Sequence, residues 1–293
     1  MQNVDKSNGK KIPTLYLVCT PIGNLDDFSF RAIETLKRVE VIFAEDTRRS
    51  RILLERFEIK TPLKSFHQHS SNLIVEKMLE HLAQGQSVAI ISDGGMPSIN
   101  DPGAIAVELA TKQGFTVDVI PGPSAPSVLF SASGIRQKQY FFHGFFPREK
   151  KEAQKTLDLI CRLDVAHVFF ESPLRVLKTL EVLNIKIPTW HIVVGRELTK
   201  LHQEYLRGTV SEVFEELSQR PSIKGEVSFL LAQTEASIEP SKDIESINLE
   251  ELKAEIAQKI TNGGHTKEIA KELSIRTGIP KKQLYDLVLE ILA

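Results

Sequence analysis

Cysteine is nearly missing from this 293-residue chain, which holds Cys19 and Cys161 and no others. Two thiols cannot build a disulfide framework, and neither sits in a metal-binding spacing. Long apolar runs are missing too: no stretch approaches the roughly eighteen residues of a membrane-spanning helix. Residues 1–11 are polar and hold no apolar core of the kind that directs secretion, so they read as an unstructured lead-in. With neither export signal nor disulfides, the reducing cytoplasm is the expected compartment. An excess of one charge is also lacking. A net charge of −1 gives no bulk attraction to nucleic acid or anionic membrane, so any such binding rests on local patches. There is no Gly-x-Gly-x-x-Gly after a strand, no Gly-Lys-Ser/Thr phosphate loop and no Gly-x-Ser-x-Gly elbow. Those absences set aside the dinucleotide, nucleoside-triphosphate and serine-hydrolase fingerprints.

What is present is the composition of a soluble globular protein, 41% hydrophobic and 26% charged, long enough for two ordinary domains. Strand and helix signals alternate. Strands are predicted over 15–19, 41–44, 64–66, 88–91 and 116–120. Between them lie a helix capped at Ser29 with Ile33 and Leu36 inward, one burying Leu53, Leu54 and Phe57, one carrying Ile74, Met78, Leu79 and Leu82, and one over 104–112. This alternation predicts a mostly parallel sheet with helices on its faces. A second alternation follows, with strands over 140–143, 168–170, 192–194, 203–207 and 227–232 and helices over 150–163, 173–183 and 211–219. The segment 123–139 reads as a passage between the two. The polar stretch 236–248 reads as a linker, and 250–293 as helical, with Leu252, Ile256, Ile260, Ile269, Leu273, Leu284, Leu287 and Val288 on its apolar faces. The expected organisation is two consecutive α/β domains, 13–123 and 124–235, and a small C-terminal helical module, 249–293.

The loop Ser92-Asp93-Gly94-Gly95-Met96-Pro97-Ser98-Ile99-Asn100-Asp101-Pro102-Gly103 dominates the first half. Its glycines and prolines can continue neither strand nor helix. It falls where open α/β sheets bind ligands, beyond the carboxyl end of a strand. A plain strand-to-helix connection, with Asp101 capping the helix after it, is the competing reading. Further loops follow the other strands: Pro21–Leu25, Glu45–Arg49, His67–Asn72 and Pro121–Ala125. In the second half the counterparts are Glu171–Arg175, Arg196–Lys200 and Lys224–Glu226. Converging loops of this kind suit a small polar cofactor held between the domains.

Taken in order, Leu15–Leu25, Ala44-Glu45-Asp46-Thr47-Arg48, Ser92–Gly103, Pro121-Gly122-Pro123-Ser124-Ala125, Phe169–Arg175, Arg196-Glu197-Leu198-Thr199-Lys200 and Lys224-Gly225-Glu226 resemble the tetrapyrrole-methylase superfamily, and within it the branch that methylates small-subunit ribosomal RNA. The resemblance covers roughly residues 13 to 235. It implies S-adenosylmethionine as methyl donor, a homodimer, no metal, and as acceptor the ribose 2′-hydroxyl of a cytidine in the decoding region of 16S rRNA. It also implies cofactor contacts from Pro21, Gly23, Asp93, Gly94, Gly95, Pro97, Asn100, Asp101, Gly103, Ser124 and Ala125. The proton-handling group is sought among Glu45, Glu197, Lys200 and Glu226. Arg48, Arg49, His67, His69, Arg175, Arg196 and Lys224 are the expected RNA contacts, since guanidinium matches phosphate bidentately. A solvated helix start is the alternative for 45–49. Two departures stand out: Met96 where the family has Thr, and Gln68 where it has Asp. The C-terminal segment around Thr266–Tyr285 resembles a helix-turn-helix and reads as an accessory to RNA docking or dimer stability.

Overall fold

The computed structural model describes residues 12–66, 71–99, 103–233, 249–261, 265–277 and 281–292. The lead-in 1–11, His67, Gln68, His69, Asn100, Asp101, the linker 236–248 and the turn at Gly278 lie outside the described residues.

β1 (Thr14–Val18), β2 (Val41–Ala44), β3 (Leu63–Ser65), β4 (Val88–Ile91) and β5 (Thr116–Ile120) form a five-stranded sheet in the order β3-β2-β4-β1-β5. All of its pairings are parallel. β2 and β4 are apolar and buried at every position, as central strands covered on both faces must be. Alternate residues feed two cores. Ile42, Ala44, Ala89 and Ile91 pack with Ala32 and Leu36 of α1 (Phe30–Arg38) and Leu53 and Leu54 of α2 (Thr47–Arg56). Val41, Phe43, Val88 and Ile90 pack with Val75 and Met78 of α3 (Ser71–Ala83) and Ala106 and Ala110 of α4 (Gly103–Lys112). Ser29 caps α1 as its sequence predicts, the hydroxyl accepting from the Ala32 N–H at 3.1 Å.

β6 (Tyr140–Phe145), β7 (Ala166–Glu171), β8 (His191–Arg196), β9 (Glu204–Thr209) and β10 (Val227–Ala232) form the second sheet, ordered β6-β7-β10-β8-β9. Only β6 and β7 run parallel among its pairs, because the short 197–203 connection folds β8 and β9 into a hairpin and β10 enters antiparallel to both neighbours. One face carries α6 (Lys150–Arg162), α7 (Val176–Lys186) and α8 (Val210–Ser218), whose Leu157, Leu180 and Val213 meet Phe169, Val194 and Phe229.

The other face corrects the reading of 123–139 as a passage. Residues Ala125–Ser133 form α5, and its Leu129 packs on Val168, Val193 and Leu230. Pro126 and the serines disguise it in the sequence, yet proline in the first turn is favourable and Gly134, at φ +75°, ends the helix in the left-handed conformation. Both sheets belong to one compact unit, Met1–Ala232.

Residues Gln233–Ala293 form a separate unit. In it, α9 (Leu249–Thr261), α10 (Thr266–Thr277) and α11 (Lys281–Leu292) bury Leu252, Ile256, Ile269, Ala270, Leu273, Leu284 and Val288, largely the positions that the helical spacing predicts. Among the described residues, no helix is long and apolar enough to cross a membrane.

A histidine pair ties β6 to β7. His143 Nε2 lies 2.9 Å from His167 Nδ1, and His167 Nε2 lies 3.2 Å from the Leu163 carbonyl. A carbonyl only accepts, so His167 donates from Nε2 and accepts at Nδ1 from His143; this network makes the His167 ring neutral. Burial, reinforced by the neighbouring ring, pushes His143 down to about 4, and burial also lowers His167. The unfolded chain therefore binds more protons than the folded one below the ordinary value of 6.5. The stability this pair contributes is complete above that pH and is lost as the pH falls toward 4. The melting midpoint is expected to drop over this window. His143→Phe, which keeps the stack on Phe169 at 4.3 Å, should show a shallower drop. Equal acid slopes for the two proteins would contradict the assignment.

Candidate active site

β4, β1 and β5 stand side by side and parallel, so the loops beyond them emerge along one edge. These loops are stitched backbone to backbone. The Thr20 N–H donates to the Gly95 carbonyl at 3.0 Å, and the Gly95 N–H returns to the Thr20 carbonyl at 2.9 Å. The Thr20 hydroxyl donates to the Ser92 carbonyl at 3.0 Å, and the Ser92 hydroxyl to the Gly95 carbonyl at 2.9 Å. The Cys19 thiol reaches the Pro123 carbonyl at 3.1 Å. Gly95 adopts φ +90°, a conformation that its bridge to Thr20 requires and that a side chain would resist. Pro97 is buried beneath this loop, Gly103 opens α4, and Ser124 and Ala125 open α5, where the Ser124 carbonyl takes the Val128 N–H at 2.9 Å.

Charged groups line the same edge. Asp46 caps α2, accepting from the Arg48 N–H at 2.9 Å, and the Arg48 guanidinium closes back on the same carboxylate at 2.9 and 3.1 Å. Those hydrogen bonds pull Asp46 down to about 2. Arg49, one residue on, spans two carboxylates instead, 3.4 Å from Asp93 Oδ2 and 3.4 Å from Glu226 Oε1. The other oxygen of Asp93 accepts from the Asp46 N–H at 3.1 Å. Lys200 Nζ then donates to Glu226 Oε2 at 3.1 Å and to Glu197 Oε1 at 2.8 Å. Glu197 Oε1 also accepts the Glu226 N–H at 2.8 Å, and the Glu197 N–H donates to the Glu226 carbonyl at 2.9 Å. The result is a row of alternating sign, Asp93–Arg49–Glu226–Lys200–Glu197, that runs from the first sheet to the second. Burial opposes the Lys200 charge, but the hydrogen bonds to Glu197 and Glu226 outweigh it and hold the ammonium above its ordinary range. Glu197 is correspondingly lowered, first by its hydrogen bond from Lys200.

The turn that carries Lys200 is strained. Glu197 and Thr199 have φ of +52° and +64°, which a β-branched residue rarely adopts. Contacts from both halves enforce it. Thr199 Oγ1 accepts the Asn24 N–H at 3.0 Å, and the Thr199 N–H donates to Gln203 Oε1 at 2.7 Å. Gly23 lies so close that a Cβ there would sit 2.4 Å from Lys200 Cγ. Buried Leu198 shares a core with Ile22. Strain held in place by this many contacts is characteristic of functional positions.

The remaining sequence-predicted residues are placed differently. Arg196 donates to Glu204 at 2.9 Å and to the carbonyls of His202 and Lys224 at 3.3 Å. Glu204, held at about 2 first by its hydrogen bond from Arg220, completes a brace across the β8–β9 hairpin. Arg175 donates to the Phe146 carbonyl at 2.8 Å and lies 3.4 Å from Glu171, a buried carboxylate that also takes the Thr179 hydroxyl at 2.6 Å. Both arginines are thus engaged by the protein itself. Glu45 is exposed directly after β2, and Lys224 is exposed before β10. Sequence reasoning gave no individual role to Thr20 or Thr199, whose partners are distant in the chain.

The two sheets thus share one unit, with glycine-bearing loops meeting a charged row at their junction. Residues 14–213 match the family model of the Tetrapyrrole (Corrin/Porphyrin) Methylases, and the chain belongs to that family. Cobalt-precorrin-4 methyltransferase, a cobalamin biosynthetic enzyme, shares the fold with a TM-score of 0.58 at 16% identity, over 75% of this chain and 94% of that one. Diphthine synthase does so with a TM-score of 0.59 at 12% identity, over 75% and 90%. More particularly, the chain is 39% identical over 282 residues to the ribosomal RNA small subunit methyltransferase I of Bacillus subtilis, covering 95% of each. It is 37% identical over 276 residues to the protein of that name from Halalkalibacterium halodurans, covering 94% of each. The Thermotoga maritima protein of that name is 42% identical over 221 residues, 75% of this chain and 99% of that one.

Proposed function

We propose that this protein transfers a methyl group from S-adenosylmethionine to the ribose 2′-hydroxyl of a cytidine in the decoding region of 16S rRNA. The observation that carries the reading is the 37–42% identity to the relatives named ribosomal RNA small subunit methyltransferase I. The geometry supports it. The loops stitched at Thr20 and Gly95 carry the Asp93 carboxylate at this edge, an acceptor suited to a ligand bearing amino and hydroxyl donors. Pro21, Gly23, Asp93, Gly94, Gly95, Pro97, Gly103, Ser124 and Ala125 would hold the cofactor, joined by Asn100 and Asp101. The chemistry supplied there is a sulfonium methyl group, transferred by in-line displacement.

The chain's own task is to make a ribose hydroxyl nucleophilic. Lys200, held as an ammonium, stabilises the negative charge that develops on the acceptor oxygen. Glu197 keeps Lys200 in place and, being lowered, is a poor proton acceptor. Glu226, with its side chain 61% exposed against 18% for Glu197, is the better placed to receive the proton, with Glu45 as the alternative. Exposed Arg48 and Lys224 and the predicted His67 and His69 contact rRNA phosphates or bases. Arg175 and Arg196 support that surface through the backbone they brace. A cytoplasmic homodimer acting on the small ribosomal subunit completes the proposal. The edge strand β6, with exposed Phe141 and Phe145, supports self-association.

Small subunits from cells lacking the modification are to be incubated with the protein and methyl-labelled S-adenosylmethionine, then the RNA hydrolysed with alkali. Label is expected in an alkali-resistant dinucleotide beginning with cytidine, because a 2′-O-methyl ribose protects its neighbouring bond. Label in single nucleotides would move the target to a base. No label from a protein that still binds S-adenosylmethionine would favour a tetrapyrrole or protein acceptor.

A further inference from the structure

We propose that Arg49 is a positioning residue that couples the cofactor loop of the first sheet to the Lys200 turn of the second, so that Lys200 is released toward the acceptor only when the cofactor loop is engaged. The inference rests on the reading of the site as an S-adenosylmethionine site and goes beyond it. The neighbouring guanidiniums differ in kind. Arg48 is closed bidentately on a carboxylate of its own helix start, whereas Arg49 is shared between carboxylates far apart in the chain. Both of its contacts, at 3.4 Å, are longer than the usual range for such bonds, so charge rather than a tight hydrogen bond holds it between them. A group held in this way moves when either anion acquires another partner.

Each end of the row is anchored. Asp93 is fixed to the first sheet by the Asp46 N–H, and Glu197 is fixed to Glu226 by two hydrogen bonds, from its own N–H to the Glu226 carbonyl and from the Glu226 N–H to its Oε1. An amino or hydroxyl donor arriving at Asp93 competes with Arg49 for that carboxylate. Arg49 then shifts toward Glu226, Glu226 turns from Lys200 toward the guanidinium, and an N–H of Lys200 is freed for the acceptor oxygen. Alternating charge makes each displacement favour the next. The strained turn at Glu197–Thr199 keeps Lys200 from following Glu226.

The test is amide hydrogen exchange with and without S-adenosylmethionine, which needs no RNA. In the wild-type chain, the cofactor should alter exchange in both 92–99 and 197–203. Arg49→Gln is expected to keep the first response and lose the second, Arg49→Lys to recover part of it, and Glu226→Gln to behave as Arg49→Gln does. Methyl transfer at saturating substrates should fall roughly tenfold in Arg49→Gln, the scale of a typical coupling between sites. The salt dependence of RNA binding should be unchanged. An unaltered 197–203 response in Arg49→Gln overturns the proposal. So does a salt slope reduced by about one, which marks a phosphate contact instead. A wild-type chain that does not bind S-adenosylmethionine overturns both this proposal and the reading beneath it.

Discussion

Replacing Lys200 with Met is expected to slow methyl transfer at saturating substrates by about 10²–10³-fold, the loss that follows removal of one donor to a developing oxyanion. The affinity for S-adenosylmethionine should change little, because Lys200 donates to Glu197 and Glu226 of the second sheet rather than to the loops stitched around Gly95. Met matches the Lys stem in length and leaves the turn backbone, held by Asn24 and Gln203, without a reason to move. Its effect therefore falls on the rate constant rather than on KM. The pH profile distinguishes two roles. The carboxylates hold the ammonium above its ordinary 10.5, so a lysine acting through its charge gives a rate insensitive to this group from neutral pH upward to that value. A rate that climbs across that range would mean that the neutral amine takes the proton. Transfer by Lys200→Met within threefold of wild type would remove Lys200 from the chemistry altogether.

The second large effect is expected at Gly225. A Cβ on this residue would lie 2.4 Å from the Glu197 carboxyl carbon and from its Oε1, the oxygen that binds Lys200. Its φ of +91° is also one that alanine resists. Gly225→Ala must therefore displace Glu197 or the backbone before β10, and Lys200 with it. Activity should fall by about a hundredfold, with a stability loss of roughly 1–3 kcal/mol. Gly114→Ala supplies the comparison. Gly114 has φ +80° with nothing within 4 Å of its would-be Cβ, so it carries the strain without the collision. That variant should lose stability and keep its activity. If both variants lost activity equally, backbone strain and not the displacement of Glu197 would be responsible. Melting curves and initial rates on the two proteins decide it.

Much of this architecture is legible in the sequence because its signals are local. The apolar runs of β2 and β4, the cap at Ser29 and the apolar faces of the C-terminal helices each announce themselves within a few residues. α5 does not, because its proline and serines carry the composition of a loop, and what makes it a helix is the face of the second sheet it covers. The motifs identify charged residues but not their partners. Arg49 lies shortly after a strand and Arg196 ends one, yet the first bridges the sheets while the second braces a hairpin. Nothing near either residue predicts this, since the deciding carboxylates are elsewhere in the chain or fixed by strand pairing.

The position of α5 also bears on how such enzymes can be recombined. The boundary read from sequence, between residues 123 and 124, divides the loop that binds Cys19 from the helix that roofs Val168, Val193 and Leu230. A chimaera that took its second half from a relative at that seam would bring the roof with its own sheet but would ask a foreign Ser124–Ala125 junction to continue the native Pro121–Pro123 loop. One joined after Gly134 would keep the loop intact and set a foreign sheet beneath the native roof. The second half is therefore not a separable cassette in this fold, and exchange of it requires that loop, roof and second sheet travel together.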